Sequence, residues 1–277
     1  MNAVVQCLFS CSASRTLLCD FAETLRTADL PDDSISPCLR ALSSLVWRLD
    51  ETNPQAIRPS DLHAVIPEHM RDGDQHDAWE LFRVFIDEEQ EMAKLFAVAR
   101  EQYTVCRTCN TTSTCKVTYP FLDIPLNLHG EIISVESLIT RSLSPVELQG
   151  ANAFDCQHCT LEQGPASRQP AVLTGIIGSS SDIVLVRLRL FGDGTKKNRE
   201  VVECSPQLDV CGRTYFLCCV VCHCGRTTAR GHYTSYIMPS MDHRQWFYVN
   251  DEHADPSGAP AWSEDETPYI LAYCLWV

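Results

Sequence analysis

Four cysteines in two pairs carry the plainest chemistry in this sequence: Cys106 and Cys109 in CRTC, Cys156 and Cys159 in CQHC. Two C-x-x-C knuckles can aim four thiolates at one tetrahedral ion, with Zn–S near about 2.3 Å. The long gap between the pairs puts them on neighbouring hairpins, a zinc ribbon rather than a classical finger. Free or redox-active thiols are the other reading of the same spacing. Four thiolates leave no open position on the ion, so the metal would be structural rather than catalytic.

A second candidate is a base with an orienting partner. RGHYTSY carries His232, and WFYVND, which begins fourteen residues after it, carries Asn250 and Asp251. His232 can take a proton on one ring nitrogen while Asn250 or Asp251 holds the other. A hydrogen-bonded structural histidine explains the pair equally well. A third cluster, CCVVCHC, holds Cys218, Cys219, Cys222 and Cys224. It sits in a strand-like run, where neighbours point to opposite faces, so buried core thiols account for it better than a second metal site. GDGTKKNRE lacks the Gly-Lys-Ser/Thr of a phosphate loop, and no H-E-x-x-H occurs.

The elements that must position these residues fall into two halves. Residues 1–100 read as helices. Leu39, Leu42, Leu45, Val46 and Leu49 recur at spacings of three and four, as do Ala78, Trp79, Phe82, Phe85 and Ile86. Asp74 is the expected N-cap of the latter helix, with Asp77 in its first turn. Pro54, Pro59 and Pro67 punctuate the link between them. From about residue 101 short β runs take over. CKVTYPFLDIPLNL reads as edge strands with bends. DIVLVRLRLF alternates Val186, Leu188 and Leu190 against Arg187 and Arg189, the pattern of a half-buried strand. RTYFLCCVVCHC, RGHYTSYIM, QWFYVND and YILAYCLWV follow as further strands. Helices first and strands after make an α+β fold, not a doubly wound sheet.

Composition narrows the function classes. The chain has 277 residues, 45% hydrophobic and 21% charged, enough for a sizeable core. A net charge of −14 argues against a nucleic-acid binder, which would show a basic stripe. No apolar run is long enough to span a membrane, and the first residues lack the positive region of a signal peptide. Sixteen cysteines without a secretory signal fit a reducing compartment, so the expected location is cytoplasmic and/or nuclear.

Taken together, these stretches resemble the ubiquitin-specific proteases, the papain-like cysteine deubiquitinases. MNAVVQCLF looks like the helix that follows that family's nucleophilic cysteine. QHDAWELFRVFID looks like its Gln-Gln-Asp-Ala-His-Glu segment, and YTVCRTC with FDCQHC its zinc-bearing fingers. IVLVRLRLF, GHYTSYI and WFYVND look like its palm strand, histidine box and partner strand. The resemblance implies one catalytic domain over 1–277: a helical thumb at 1–100, zinc-bearing β fingers at 101–175 and a β palm at 176–277. It implies His232 as general base, Asn250 as its orienter and Asp251 as a second acidic position near the oxyanion or water. It also implies zinc on Cys106, Cys109, Cys156 and Cys159, and hydrolysis of the isopeptide bond after the Gly-Gly tail of ubiquitin or a ubiquitin-like modifier.

The family's Cys box ends Cys-Tyr-Met-Asn, and its Met-Asn matches Met1-Asn2. The nucleophile position therefore falls two residues ahead of Met1. The uncapped start of MNAVVQCLFS agrees with a segment in front of it. Cys7 lies too far along the helix to substitute. Two expectations follow: an active protease whose start lies upstream, or a catalytically inactive ubiquitin-binding scaffold. A zinc-ribbon protein without a ubiquitin role would leave GHYTSYI and WFYVND unexplained. LSPVELQGANAFDCQHC and the compact fingers look somewhat like the interferon-induced member, which acts on a two-domain ubiquitin-like modifier. His76 and Trp79 depart from the family pattern and put its usual contacts from that helix to the tail in question.

Overall fold

The computed structural model describes the chain except for residues 28–35, 50–59, 88–89, 127–131, 164–167, 192–196, 199, 201, 228–229, 241–243, 264 and 276–277. Pro54, Pro59 and the first part of GDGTKKNRE lie outside the described residues.

Helices come first, as the periodicity predicts: Asn2–Ser10, Ser12–Thr27, Pro37–Leu49, Ser60–Val65, Ala78–Asp87 and Gln90–Phe96. Each packs an apolar stripe inward. Leu39, Leu42, Leu45 and Val46 are buried, as are Trp79, Phe82, Phe85 and Ile86. The cap of the fifth helix differs from expectation. Asp77 holds that place, its Oδ1 accepting from the Trp79 N–H at 2.9 Å. Asp74 instead donates its backbone N–H to Asp72 Oδ1 at 2.9 Å. The helix starts at Ala78, as its apolar periodicity suggests, and three residues later than a cap at Asp74 implies, because the Asp77 carboxylate is placed to take an orphan amide.

The strands form two main sheets. The four-stranded sheet runs in the order Thr112–Tyr119, Val98–Cys106, Ala171–Ser180, Val146–Leu148. The larger sheet has eight strands. Its order is His253–Ser257, Trp246–Asn250, Arg230–Ile237, Arg213–Thr227, Glu266–Leu275, Ile183–Arg189, Leu122–Pro125, with Gln207–Val210 paired on Arg213–Thr227. CKVTYPFLDIPLNL does supply edge strands, one to each sheet: Thr112–Tyr119 and Leu122–Pro125. Ile183–Arg189 is more buried than an alternating strand should be. Ile183 through Val186 are all inaccessible, and only its second half alternates. The helix Gln90–Phe96 packs against this strand, and Ile183 through Val186 all belong to the apolar cluster shared with the helices.

The helices and the large sheet share one apolar cluster, to which Leu8, Phe82, Val186, Val220 and Tyr273 all belong. Arg187 ties its two halves. Its guanidinium lies 5.2 Å above the Trp79 ring and 2.8 Å from Asp123 Oδ1. Trp79 is therefore a core residue, packed edge-on against Phe121 at 4.2 Å. The CCVVCHC run is a central strand, with Cys218, Cys219 and Cys222 buried. Among the described residues no helix is long and apolar enough to cross a membrane.

Candidate active site

His232 lies near the start of the strand Arg230–Ile237, and Asn250 ends the neighbouring strand Trp246–Asn250. The two strands pair antiparallel, with Ser235 opposite Val249. That register carries His232 past the last paired residue, beside the two-residue turn that follows Asn250. His232 Nε2 is 2.7 Å from Asn250 Oδ1. An amide oxygen accepts, so Nε2 holds the proton and the Nδ1 lone pair is left to act as base. Asp251 opens the turn with φ +52°, a conformation that Asp tolerates better than most side chains. Its Oδ2 lies 3.7 Å from His232 Nε2.

The helix Asn2–Ser10 aims its N-terminal end at this group. Asn2 Nδ2 donates to Asp251 Oδ1 at 3.3 Å, and Gln6 Nε2 to the Asp251 carbonyl at 3.4 Å. Ser235 Oγ donates to Gln6 Oε1 at 2.9 Å. A helix N-terminus carries partial positive charge, which favours an anion next to it. Residues 229 to 249 positions apart in sequence thus meet through three side-chain contacts.

Below the histidine a row of rings supports the strand. Tyr233 stacks on Tyr269 at 6.2 Å, and His223 meets Tyr233 edge-on at 5.1 Å. Tyr269 donates its hydroxyl to Asp77 Oδ2 at 2.8 Å, which links the strand to the helical half. His223 is buried and its Nδ1 has no hydrogen-bond partner. Burial, with the Lys197 ammonium nearby, lowers its pKa to about 4. Gly231 is required where it stands, because any Cβ would run into the His223 ring and the Cys224 carbonyl. The Gly231 N–H donates to Gln75 Oε1 at 2.6 Å. Sequence reasoning missed the Gln75 and His223 contacts; the one local signal was Gly231 directly before the histidine.

Within the helical half, bounded on one side by Tyr233, lies a cavity of about 230 Å³, lined by Met1, His63, Met70, His76 and Asp77 among others. His76, the departure from the family pattern, points Nε2 at Asp72 Oδ1, 2.7 Å away.

The four paired cysteines converge at the end of the smaller sheet. Cys106 Sγ is 3.8 Å from Cys159 Sγ, and Cys109 Sγ is 3.6 Å from Cys156 Sγ. A zinc tetrahedron with Zn–S near about 2.3 Å has edges of about 3.8 Å, which these two separations match, and all four sulfurs lie within 4.8 Å of one another. Disulfides would need about 2.05 Å. Turns shape each knuckle. The Asn110 N–H bonds back to the Cys106 carbonyl with Asn110 at φ +58°, and the Thr160 N–H to that of Cys156. The Cys159 N–H and the Thr111 hydroxyl hold the Cys156 thiol down at about 6, favouring a thiolate.

With that geometry in view, similarity to known proteins decides the family. The family model described as ubiquitin carboxyl-terminal hydrolase matches residues 1–273. The chain belongs to this family. Among human relatives, ubiquitin carboxyl-terminal hydrolase 17-like protein 12 is 29% identical over 164 residues, 56% of this chain. The inactive ubiquitin carboxyl-terminal hydrolase 17-like protein 7 matches with the same identity and coverage. The chain spans only 29% of the length of these relatives. In fold, the chain is similar to the SAGA Ubp8/Sgf11/Sus1/Sgf73 DUB module bound to ubiquitin aldehyde. The TM-score is 0.79 at 18% identity, covering all of this chain and 67% of that one. A second structure of that module, bound to monoubiquitin, matches at 0.79 and 19%.

Proposed function

We propose that this chain carries the base, the orienter and the substrate cleft of a ubiquitin-specific cysteine protease. The observation that carries the reading is the 2.7 Å contact of His232 Nε2 with Asn250 Oδ1, set at the N-terminal end of the first helix. In the family's pattern the nucleophilic cysteine comes two residues before the Met-Asn that matches Met1-Asn2. His232 Nδ1 takes the proton of that thiol, and the thiolate attacks the carbonyl carbon of the terminal glycine. The imidazolium returns the proton to the departing lysine amine, leaving an acyl-enzyme. His232 then deprotonates a water that hydrolyses the thioester. Asn250 fixes the tautomer and plane of the ring. Asp251, held by Asn2, stands beside the reacting centre as an acceptor for the attacking water.

The other parts follow. Residues 1–100 act as thumb, 101–175 as fingers and 176–277 as palm. The thumb cavity, with Asp74 and Asp77 in its lining, suits the basic and apolar tail of ubiquitin. Cys106, Cys109, Cys156 and Cys159 would hold a zinc ion, which when bound cross-links the fingers and takes no part in the chemistry. The free cysteine thiols support a location in the cytoplasm or nucleus. Ubiquitin, rather than a ubiquitin-like modifier, is the favoured substrate, since the similar human proteins are named for it. A non-catalytic ubiquitin-binding role is the second reading, favoured by the equal likeness to a relative named inactive.

The test is calorimetric titration of the zinc-loaded chain with ubiquitin and with ubiquitin lacking Gly-Gly. Saturable binding that needs the tail supports the cleft assignment; no binding to either form refutes both readings. Cys7→Ala on a folded protein should leave binding and any cleavage unchanged.

A further inference from the structure

A second group of cysteines lies far from the zinc knuckles. Cys11, Cys218 and Cys274 bring their sulfurs within 4.8 Å of one another. Cys11 Sγ is 3.5 Å from Cys218 Sγ, which is 2.8 Å from Cys274 Sγ. All three are buried. They come from three elements: the junction after the first helix, the central strand Arg213–Thr227 and the C-terminal strand Glu266–Leu275. No disulfide joins them.

We propose that this trio is a second metal site, a three-sulfur pocket for a soft monovalent ion, copper(I). The donor set selects the ion. Among the described residues no histidine nitrogen or carboxylate oxygen joins the group. Thiolate-only sets favour soft ions. Zinc in structural sites is almost always four-coordinate, and three sulfurs fall one short. An ion at the centre of an equilateral trio with bonds near 2.3 Å needs edges of about 4.0 Å. Cys218 and Cys274, at 2.8 Å, would part to reach that shape, and Cys11 at 3.5 Å from Cys218 lies near it already.

The backbone around Cys11 favours a thiolate there. Cys11 caps the helix Ser12–Thr27, its carbonyl accepting from the Arg15 N–H at 2.9 Å. The positive end of that sixteen-residue helix therefore meets the cluster. The preceding helix ends at the same point, but its negative end is blunted. Ser10 Oγ donates to the Cys7 carbonyl at 2.8 Å, and Ser14 Oγ donates to the carbonyls of Leu8 and Cys11. Binding releases protons: Cu⁺ with three thiols gives a doubly negative three-thiolate complex and three H⁺. The ion would pin the first helix, which reaches Asp251 at its other end, onto the palm strands.

The experiment is an anaerobic titration of the zinc-loaded chain with copper(I) buffered by bicinchoninate, with zinc release followed in parallel. Exposed Cys115 and Cys211 are replaced by serine to remove surface thiols. One equivalent of copper should bind with zinc retained, and copper-edge X-ray absorption should show three sulfurs and no nitrogen or oxygen. Cys11→Ala and Cys274→Val should each weaken binding by more than about 100-fold, since loss of an outer-shell partner alone costs roughly 10–100-fold. Copper taken up only as zinc leaves, or a nitrogen- or oxygen-containing shell, overturns the proposal. So does affinity unchanged in both variants. The absorption spectrum of the parent decides the matter even where a variant does not fold.

Discussion

The four-stranded and the eight-stranded sheet are held together by different means. Three strands in the middle of the large sheet, Ile183–Arg189, Arg213–Thr227 and Glu266–Leu275, include long runs of inaccessible residues. The smaller sheet has almost no apolar interior of its own away from its base. Thr112–Tyr119 is exposed at every position, and the buried cluster at its far end consists of Cys106, Cys156 and Cys159 with Cys109 and Phe154 packed against them. A sheet that cannot bury apolar area needs another source of stability, and four thiolates on one ion would supply it. The comparison explains why the cysteines proposed to hold a metal lie at the end of the smaller sheet while His232, the proposed base, lies on a strand of the large one. A structural ion serves where the core is thin. A base that must keep its geometry sits on strands anchored in the thick core.

The largest effect expected from that contrast is metal removal. Chelation should unfold the smaller sheet and leave the large one folded, because structural zinc contributes on the order of 10 kcal/mol in small metal-dependent folds. Hydrogen exchange checks this: amides of Thr112–Tyr119 should lose protection while those of Arg213–Thr227 keep it. Simultaneous loss in both sheets would break the comparison. Next in size is the converse, a cavity in the shared core. Leu8→Ala should cost about 2–5 kcal/mol in denaturant unfolding with zinc affinity unchanged.

A comparable but pH-dependent effect belongs to His223. Its folded pKa is about 4, against an ordinary value of about 6.5. Below 6.5 the unfolded chain binds a proton that the folded chain refuses. Stability is therefore complete above about pH 6.5 and declines as pH falls toward 4, by up to about 3 kcal/mol. His223→Leu should flatten that part of the unfolding profile, which chemical denaturation at stepped pH measures. The smallest effect is on the surface of the smaller sheet. Arg107 and Glu147 pair at 2.8 Å with both side chains about half exposed, so Arg107→Ala should cost less than about 1 kcal/mol. A larger loss would mean that this sheet leans on more than its metal.

What was legible in the sequence tracks how local each constraint is. The two C-x-x-C pairs were readable because each knuckle is a single turn. His232 and Asn250 were readable because their strands are adjacent and short-looped. The helix cap was placed at Asp74, when Asp77 takes it, because several carboxylates precede that helix and only the fold shows which one faces an amide. The buried state of Ile183 through Val186 was hidden, since alternation reports one face and the second was covered by distant elements. The approach of Asn2 and Gln6 to Asp251 and the meeting of Cys11 with Cys274 join the two ends of the chain. No spacing rule reaches that far.

The measurement that bears most directly on the account is hydrolysis of a fluorogenic ubiquitin C-terminal amide. The zinc-loaded chain would be joined at Met1 to the family's Asn-x-Gly-Asn-Thr-Cys-Tyr box. The account predicts turnover that needs the box cysteine and falls by roughly 10²–10⁴ on His232→Ala, with a smaller fall on Asn250→Ala. A folded, zinc-loaded protein that shows no turnover, or one that is indifferent to His232→Ala, would contradict it.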